Sequence, residues 1–252
     1  MQPTAIALIV FACLVGGAVV GMTLNVRLPD HHLEGRSGDV VKLVMGLIGT
    51  MAALVLGLLI ATAKGTYDTQ SSHVAQLAAG IVELDRLLAN YGPETKEARE
   101  SLRQTAIEQI DRIWPKEAAS ANLEPLKNKT KSEAFFRSIL MLSPQTDGQR
   151  FTKSQALQMT TDLYHTRLLM YAQHGSSISL PFLIVLVSWL VLLFAGFGLL
   201  TPFNGTVMTA LLIGALSVAG AIFLILELDQ PYSGLMRISS APLQSALAQM
   251  VH

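Results

Sequence analysis

The sequence contains little cysteine and little charge. One cysteine, Cys13, stands among 252 residues, so no intrachain disulfide can form. Charged residues make up 14% of the chain and the formal net charge is zero, whereas an ordinary soluble domain is about 25% charged. A neutral chain does not fit a nucleic-acid partner, because phosphate contacts call for a basic face.

Motifs that carry catalytic chemistry are also missing. The sequence has no Gly-rich phosphate loop, no His-Glu-x-x-His pair and no nucleophile elbow around a serine. We therefore expect neither an enzyme nor a cofactor, and we expect no metal site.

Long apolar runs are present instead, and they dominate the chain. A helix needs about 20 apolar residues to cross the hydrocarbon core of a bilayer. Four runs meet that length, at 5–24, 40–63, 179–200 and 206–226. Lys42, at the start of the second run, is the one charged residue in them. A proton-coupled transporter usually needs such a residue deeper in the membrane. The runs predict an all-α integral membrane protein in the lipid bilayer.

The first run could be mistaken for a cleaved signal peptide. No Lys or Arg precedes it, and it is longer than the 7–15 residues, roughly, of a signal-peptide core. We expect it to be a retained helix.

The runs divide the chain into four parts. We expect a transmembrane hairpin over 1–63, a helical water-exposed region over 64–178, a second hairpin over 179–228 and an interfacial tail over 229–252. Most charged residues lie in the second part. The second hairpin is expected to turn at 201–205, where Asn204 and Gly205 would supply a positive φ.

The water-exposed region is predicted to be helical because its apolar residues recur every three or four positions. A second helix is predicted over 94–114 and a last one over 151–174, while Glu83, Asp85 and Arg86 are expected to form a solvated face. We call these rows of apolar residues seams, and we interpret them as surfaces where helices of one chain pack together. The first seam consists of Val74, Leu77, Ile81, Leu84, Leu88 and Tyr91.

Small residues form a stripe on the second run, at Gly49, Ala53 and Gly57. Residues four apart share one helix face, and small side chains let helix backbones approach closely in lipid. Gly17 and Gly21 repeat the spacing on the first run. We expect tight helix contacts there, either within the bundle or between the subunits of a homo-oligomer.

The densest polar cluster follows the fourth run. Glu227 and Asp229 stand at a helix C-terminus, where the helix dipole is already negative. They call for a compensating partner, which could be Arg237, a basic residue elsewhere or a bound inorganic cation. We therefore single out a candidate ion or partner site, and the alternative is a solvated cap at the membrane interface. The residues of this candidate site are Glu227, Asp229, Tyr232, Ser233 and Arg237.

The stretch 215–235, which ends Glu227-Leu-Asp-Gln-Pro-Tyr-Ser-Gly-Leu235, resembles the C-terminal signature of the bestrophin-like domain family of bacterial membrane proteins. Arg237-Ile-Ser-Ser-Ala-Pro-Leu243 and Phe194-Ala-Gly-Phe-Gly-Leu199 are similar as well. The layout of hairpin, helical middle and hairpin extends the resemblance over nearly the whole chain.

The resemblance implies a subunit of an oligomeric anion channel, because bestrophins are pentameric channels with four crossings per subunit. It assigns no pore residue, since no crossing carries a Pro-Phe-Phe-type neck and no long acidic run could hold calcium. The alternative is a non-conducting membrane scaffold whose helical region binds a partner. We expect an inner-membrane protein with its middle region and both termini in the cytoplasm.

Overall fold

The structure is a computed structural model that describes residues 2–27, 36–114, 129–172, 180–201 and 203–250. These residues are mainly α-helical and contain no strand. The helices, in chain order, are α1 (Pro3–Arg27), α2 (Arg36–Tyr91), α3 (Lys96–Ile113), α4 (Lys129–Leu140), α5 (Asp147–Ala172), α6 (Leu180–Leu200), α7 (Gly205–Leu228) and α8 (Ala241–Gln249).

Four of these helices are long and apolar enough to cross a membrane, namely α1, α2, α6 and α7. They carry many large apolar side chains on the outside, such as Leu8, Leu54 and Leu216. The predicted fold class is confirmed: this is an all-α membrane protein in which two helical hairpins flank a helical middle region.

The chain divides into two compact units. The first comprises Met1–Thr66 and Ser176–Gln230, and the second comprises Tyr67–Gly175 and Pro231–His252. Helix α2 contributes its N-terminal part to the first unit and its C-terminal part to the second. We refer to these as the membrane unit and the helical unit.

Helix α2 is one unbroken helix of 56 residues, although the sequence predicted a spanning helix and a separate seam helix. No proline lies between 36 and 91, and a single Gly65 costs a helix only about 1 kcal/mol. The helix ends at Gly92, whose φ of 140° suits glycine. Pro93 follows and opens a short 3₁₀ turn, Pro93–Thr95.

In the membrane unit, glycines let α1 approach α6 closely. A Cβ atom added at Gly21 would lie 2.9 Å from the Leu199 nitrogen and closer still to the Ala195 carbonyl group. Across the contact, a Cβ atom on Gly198 would meet the Ala18 carbonyl oxygen and the Met22 nitrogen. At Gly21 and at Gly198, the absence of a side chain therefore lets the backbone of one helix contact the backbone of the other.

Two asparagine side chains of the membrane unit form hydrogen bonds with backbone groups near the helix ends. Asn25 on α1 donates to the Leu199 carbonyl oxygen at 2.6 Å. Asn204 precedes α7, and its side-chain oxygen accepts from the Val207 N–H at 2.8 Å. The predicted positive φ at Asn204-Gly205 is wrong, because Asn204 is extended at φ −145° and serves as a helix N-cap.

In the helical unit, the predicted seams form the core. The six seam residues of α2 are all buried, and so are Leu102, Ala106, Ile110 and Ile113 of α3, as predicted. Helix α5 begins earlier than the predicted residue 151, because Thr146 accepts a hydrogen bond from the Gln149 N–H. Asp147 in the first turn also favours that start, since a carboxylate is stabilised by the helix dipole there.

The C-terminal residues also belong to the helical unit. Leu243 and Ala246 of α8 are buried, and they join the same apolar cluster as the α2 and α3 seams. Pro125, which the sequence predicts to break a weaker third segment of this region, lies outside the described residues.

The close approach of α1 and α6 generates a first prediction. Gly21→Ala should lower the thermal stability of the detergent-solubilised protein by about 1–3 kcal/mol, because the added methyl group meets backbone that cannot move aside. The matched control is Gly16→Ala on the same helix, where an added Cβ meets nothing within 4 Å. Thermal unfolding followed by circular dichroism compares the two, and equal melting temperatures would contradict the packing described.

Candidate functional site

The acidic pair at the end of α7 lies in the membrane unit. Glu227 occupies the last turn and is 3% exposed. Asp229 caps the helix, and its backbone N–H donates to the Ile225 carbonyl oxygen at 3.1 Å. Both residues take part in further interactions, so neither is free.

The remaining residues of the predicted cluster belong to the helical unit. Tyr232 is buried, and its hydroxyl donates to the Gln70 side-chain oxygen of α2 at 2.7 Å. Burial raises the pKa of the Tyr232 hydroxyl above its usual value, and the neighbouring Tyr171 adds to the rise. The hydroxyl therefore remains a neutral donor, and this bond attaches the segment after α7 to α2.

Trp114 reinforces that attachment from the end of α3. Its indole N–H donates to the Ile238 carbonyl oxygen at 2.8 Å. Its ring meets the Tyr232 ring edge to face, with 5.9 Å between centroids. The Ile238 N–H in turn donates to the Pro231 carbonyl oxygen at 2.7 Å, which closes a loop around Gly234 at φ 80°.

Ser233 and Arg237 are exposed on this loop. The structure thus divides the predicted ion or partner site: Glu227 and Asp229 belong to one unit, while Tyr232, Ser233 and Arg237 belong to the other. Within the helical unit, Tyr232 has a structural role, whereas Ser233 and Arg237 are exposed and Ser233 takes part in a further interaction. An ion or partner at this cluster stays a prediction.

The predicted small-residue stripe of α2 is largely uncovered in the membrane unit. A Cβ atom at Gly49 would lie 3.9 Å from the Leu193 side chain of α6. Ala53 is exposed, and a Cβ atom at Gly57 would meet nothing within 4 Å. This surface is therefore available to lipid or to a second copy of the chain.

Hydroxyl groups in the spanning helices bind their own backbone. Thr50 donates to the Leu47 carbonyl oxygen at 2.8 Å. Thr62, Ser188, Thr209 and Ser217 return to carbonyls three or four residues earlier in the same way. Because these donors are occupied, they leave no strong polar site along the helices.

An ion pair that the sequence did not suggest lies in the helical unit. Asp85 was expected on a solvated face, and that expectation is wrong: its side chain is 7% exposed and accepts two hydrogen bonds from Arg99, at 2.7 and 2.9 Å. The hydrogen bond to Asp85 raises the pKa of the Arg99 guanidinium. The spacing places Asp85 beside the seam, four residues after the buried Ile81, but only the fold shows that Arg99 reaches it.

Comparisons with known proteins agree with this architecture. A family model of the Bestrophin-like domain matches residues 12–243. The chain belongs to the bestrophin-like domain family. The match covers both units, from within α1 to the start of α8, and includes every residue of the predicted site.

A solved structure from Klebsiella pneumoniae, a bacterial bestrophin homolog carrying one mutation, has a similar fold. The TM-score is 0.70 with 97% of each chain covered, although only 10% of residues are identical. At that identity the likeness shows the fold alone. None of the curated proteins matches this sequence. As a bestrophin-like protein, the chain therefore has a known architecture, and the activity must be argued from its own residues.

The Tyr232–Gln70 bond generates a second prediction. Tyr232→Phe should destabilise the protein by about 1–3 kcal/mol, because it leaves the buried Gln70 oxygen without its donor. Tyr164→Phe, which removes a hydroxyl from a ring that is 48% exposed, is the control.

Pairing Tyr232→Phe with Gln70→Leu should recover part of the loss, since removing both partners of a buried hydrogen bond is nearly neutral. Melting temperatures of the unaltered protein, the Tyr232→Phe and Tyr164→Phe variants and the double variant decide between these outcomes. A Tyr232→Phe protein as stable as the Tyr164→Phe protein would refute the anchoring role.

Proposed function

We propose that this bestrophin-like protein is a subunit of an oligomeric membrane channel for small inorganic anions, and that α2 lines the conduction path. The observation that carries the proposal is how little α2 is covered by its own subunit. We compare the share of buried residues in an apolar 18-residue stretch of each spanning helix. This share is 11% in α2, 33% in α1, 33% in α6 and 22% in α7.

The spanning part of α2 has one buried face and one exposed face. Ala52, Leu59 and Ala63 are buried against the rest of the membrane unit. The opposite face carries exposed leucines at i, i+4, i+11 and i+15, which fall on one side of a helix. These are Leu43, Leu47, Leu54 and Leu58.

The small-residue stripe lies beside the leucine face. Within the stripe, Ala53 is exposed and Gly57 has open space around it, as does the nearby Gly46. Such a stripe permits close contact with a helix of another copy. A ring of subunits packed along this stripe would turn the leucine faces toward a common axis, which supports an oligomeric arrangement.

A path lined by these leucines would be apolar. The residues from 43 to 63 carry no charge, and the Thr50 and Thr62 hydroxyls are occupied by their own helix. Apolar constrictions open and close by wetting and drying. Because no fixed charge replaces the lost water, anions that shed hydration easily should pass more readily than chloride.

The alternative is a non-conducting scaffold whose helical unit binds a partner. It is favoured by the same absence of charge from residues 43–63 of α2, which leaves no charged side chain along that stretch to attract an ion. The orientation that we propose, with the helical unit in the cytoplasm and the spans in the inner membrane, is supported by the long, mixed-charge character of the helical unit and the lack of any disulfide.

Flux through liposomes tests conduction by α2. Purified protein should pass iodide and thiocyanate faster than chloride. On a Cys13→Ala background, Leu54→Cys should let a bulky thiol reagent block most of that flux. Leu216→Cys on α7, at 65% exposure against 75% for Leu54, is the matched control and should be insensitive. Absence of flux for every anion would favour the scaffold, and equal block at both positions would remove α2 from the path.

Assembly is tested separately. Gly57→Leu should dissociate the oligomer while leaving the subunit folded, because the added side chain meets nothing in its own subunit. Gly16→Leu on α1 also enters open space and should keep the oligomer intact. Light scattering of the protein–detergent complex reports the mass. An unchanged mass in Gly57→Leu would contradict contact along this stripe.

A further inference from the structure

The helical unit contains a cavity that the channel proposal does not use. Its volume is about 530 Å³, and residues of α2, α3, α4 and α5 line it. Small-molecule sites in proteins have volumes of roughly 300–1,000 Å³. The cavity is therefore large enough for a ligand.

The walls of the cavity are mainly apolar, and each of the four helices contributes to them. Their large apolar side chains include Leu77, Ile81, Leu102, Phe135, Phe136 and Leu163. Protein interiors are close-packed, so side chains that border an unfilled space lose dispersion contacts on that side. Apolar walls also give water few partners. An apolar occupant would restore the missing contacts, whereas water would not.

The packing beside the cavity is tight. A Cβ atom added at Gly80 of α2 would lie 2.7 Å from Cδ2 of Leu163 on α5. Leu163 also lines the cavity. The open space is therefore local, since α2 and α5 pack closely right beside it.

The polar groups of the lining already have partners. The hydroxyl groups of Thr105, Thr160 and Thr161 donate to carbonyl oxygens of their own helices, at 2.8, 2.7 and 3.0 Å. Among the described residues, no buried side-chain nitrogen or oxygen atom that lacks a hydrogen-bond partner belongs to the lining. A polar ligand would give up its hydrogen bonds to water and find no unpaired buried donor in exchange.

The charged side chains of the lining are either engaged or exposed. Arg167 of α5 is buried, its Nε donates to the Tyr171 hydroxyl at 3.2 Å, and it takes part in a further interaction. Glu133 and Arg137 carry opposite charges, lie four residues apart on α4 and are exposed. An ionised ligand would therefore meet no charge of the lining that is held ready for it.

We propose that this cavity binds an uncharged apolar small molecule, whose hydrocarbon surface packs against the leucine, isoleucine and phenylalanine side chains of the walls. The volume sets the size of the ligand. The paired polar groups set its chemistry, because they favour a molecule that brings no charge and needs no hydrogen bond.

Equilibrium dialysis of the full chain in phosphatidylcholine nanodiscs tests the proposal. The probe is radiolabelled naphthalene, 2-naphthoate is its charged analogue, and empty nanodiscs correct for partition into lipid. Naphthalene should bind saturably at one site per chain. Naphthoate should bind about tenfold more weakly, since the lining offers no partner to replace the water that its carboxylate loses. Equal or tighter binding of naphthoate, or naphthalene retention that follows the lipid alone, would overturn the proposal.

Filling the cavity from its wall locates the site. Ala106 of α3 lines the cavity and is 3% exposed. Ala106→Leu should weaken naphthalene binding about tenfold or more without lowering the melting temperature, because the added side chain occupies the space and gains the contacts of the ligand. The smaller Ala106→Val should weaken binding less.

Ala98→Leu is the matched control on the same helix. Ala98 is 4% exposed and lies outside the lining. The same added side chain should therefore overpack the core and lower the melting temperature, while naphthalene affinity stays unchanged. Unchanged affinity in the larger Ala106 variant that folds would overturn the proposal. An Ala106→Leu protein that loses as much stability as Ala98→Leu would contradict an open cavity at this wall.

Discussion

The absence of water in a bilayer core governs this structure. Every backbone N–H and C=O group in hydrocarbon must find a partner within the protein, and a helix provides it along each span. The same constraint explains why Thr50 and Ser217 return their hydroxyls to their own helices. It also explains the glycines between α1 and α6, because lipid gives no hydrophobic drive for helices to associate and close packing must replace it.

The first part of helix α2 lies in the membrane unit and meets this constraint. Its second part lies in the helical unit, where it must bury an apolar seam. Its spanning part leaves a leucine face uncovered, whereas its later part buries a seam from Val74 to Tyr91 within the helical unit. One unbroken helix thus belongs to both units of the chain. Its uncovered face is the feature on which the proposed channel function rests, since α2 could line no path if its own subunit covered it on all sides.

The sequence predicted the features that depend on the period of apolar residues or on the length of an apolar run. The four spans and the buried seams follow from counting apolar residues, and the resemblance at 215–235 identified the family. Where burial or backbone conformation depends on a residue that is distant in sequence, periodicity and length do not predict it. Asp85 is buried because Arg99 returns beside it after the turn at Gly92, and Asn204 caps α7 rather than adopting a positive φ. A cavity of about 530 Å³ in the helical unit is lined by residues of α2, α3, α4 and α5, and no spacing within one helix predicts it.

A projection image of the purified protein, viewed along its symmetry axis, tests the central claim that α2 lines a path between subunits. The account predicts a closed ring of subunits with a central opening and with α2 as the innermost helix. A single subunit, or a ring in which α2 faces the surrounding lipid, would contradict it.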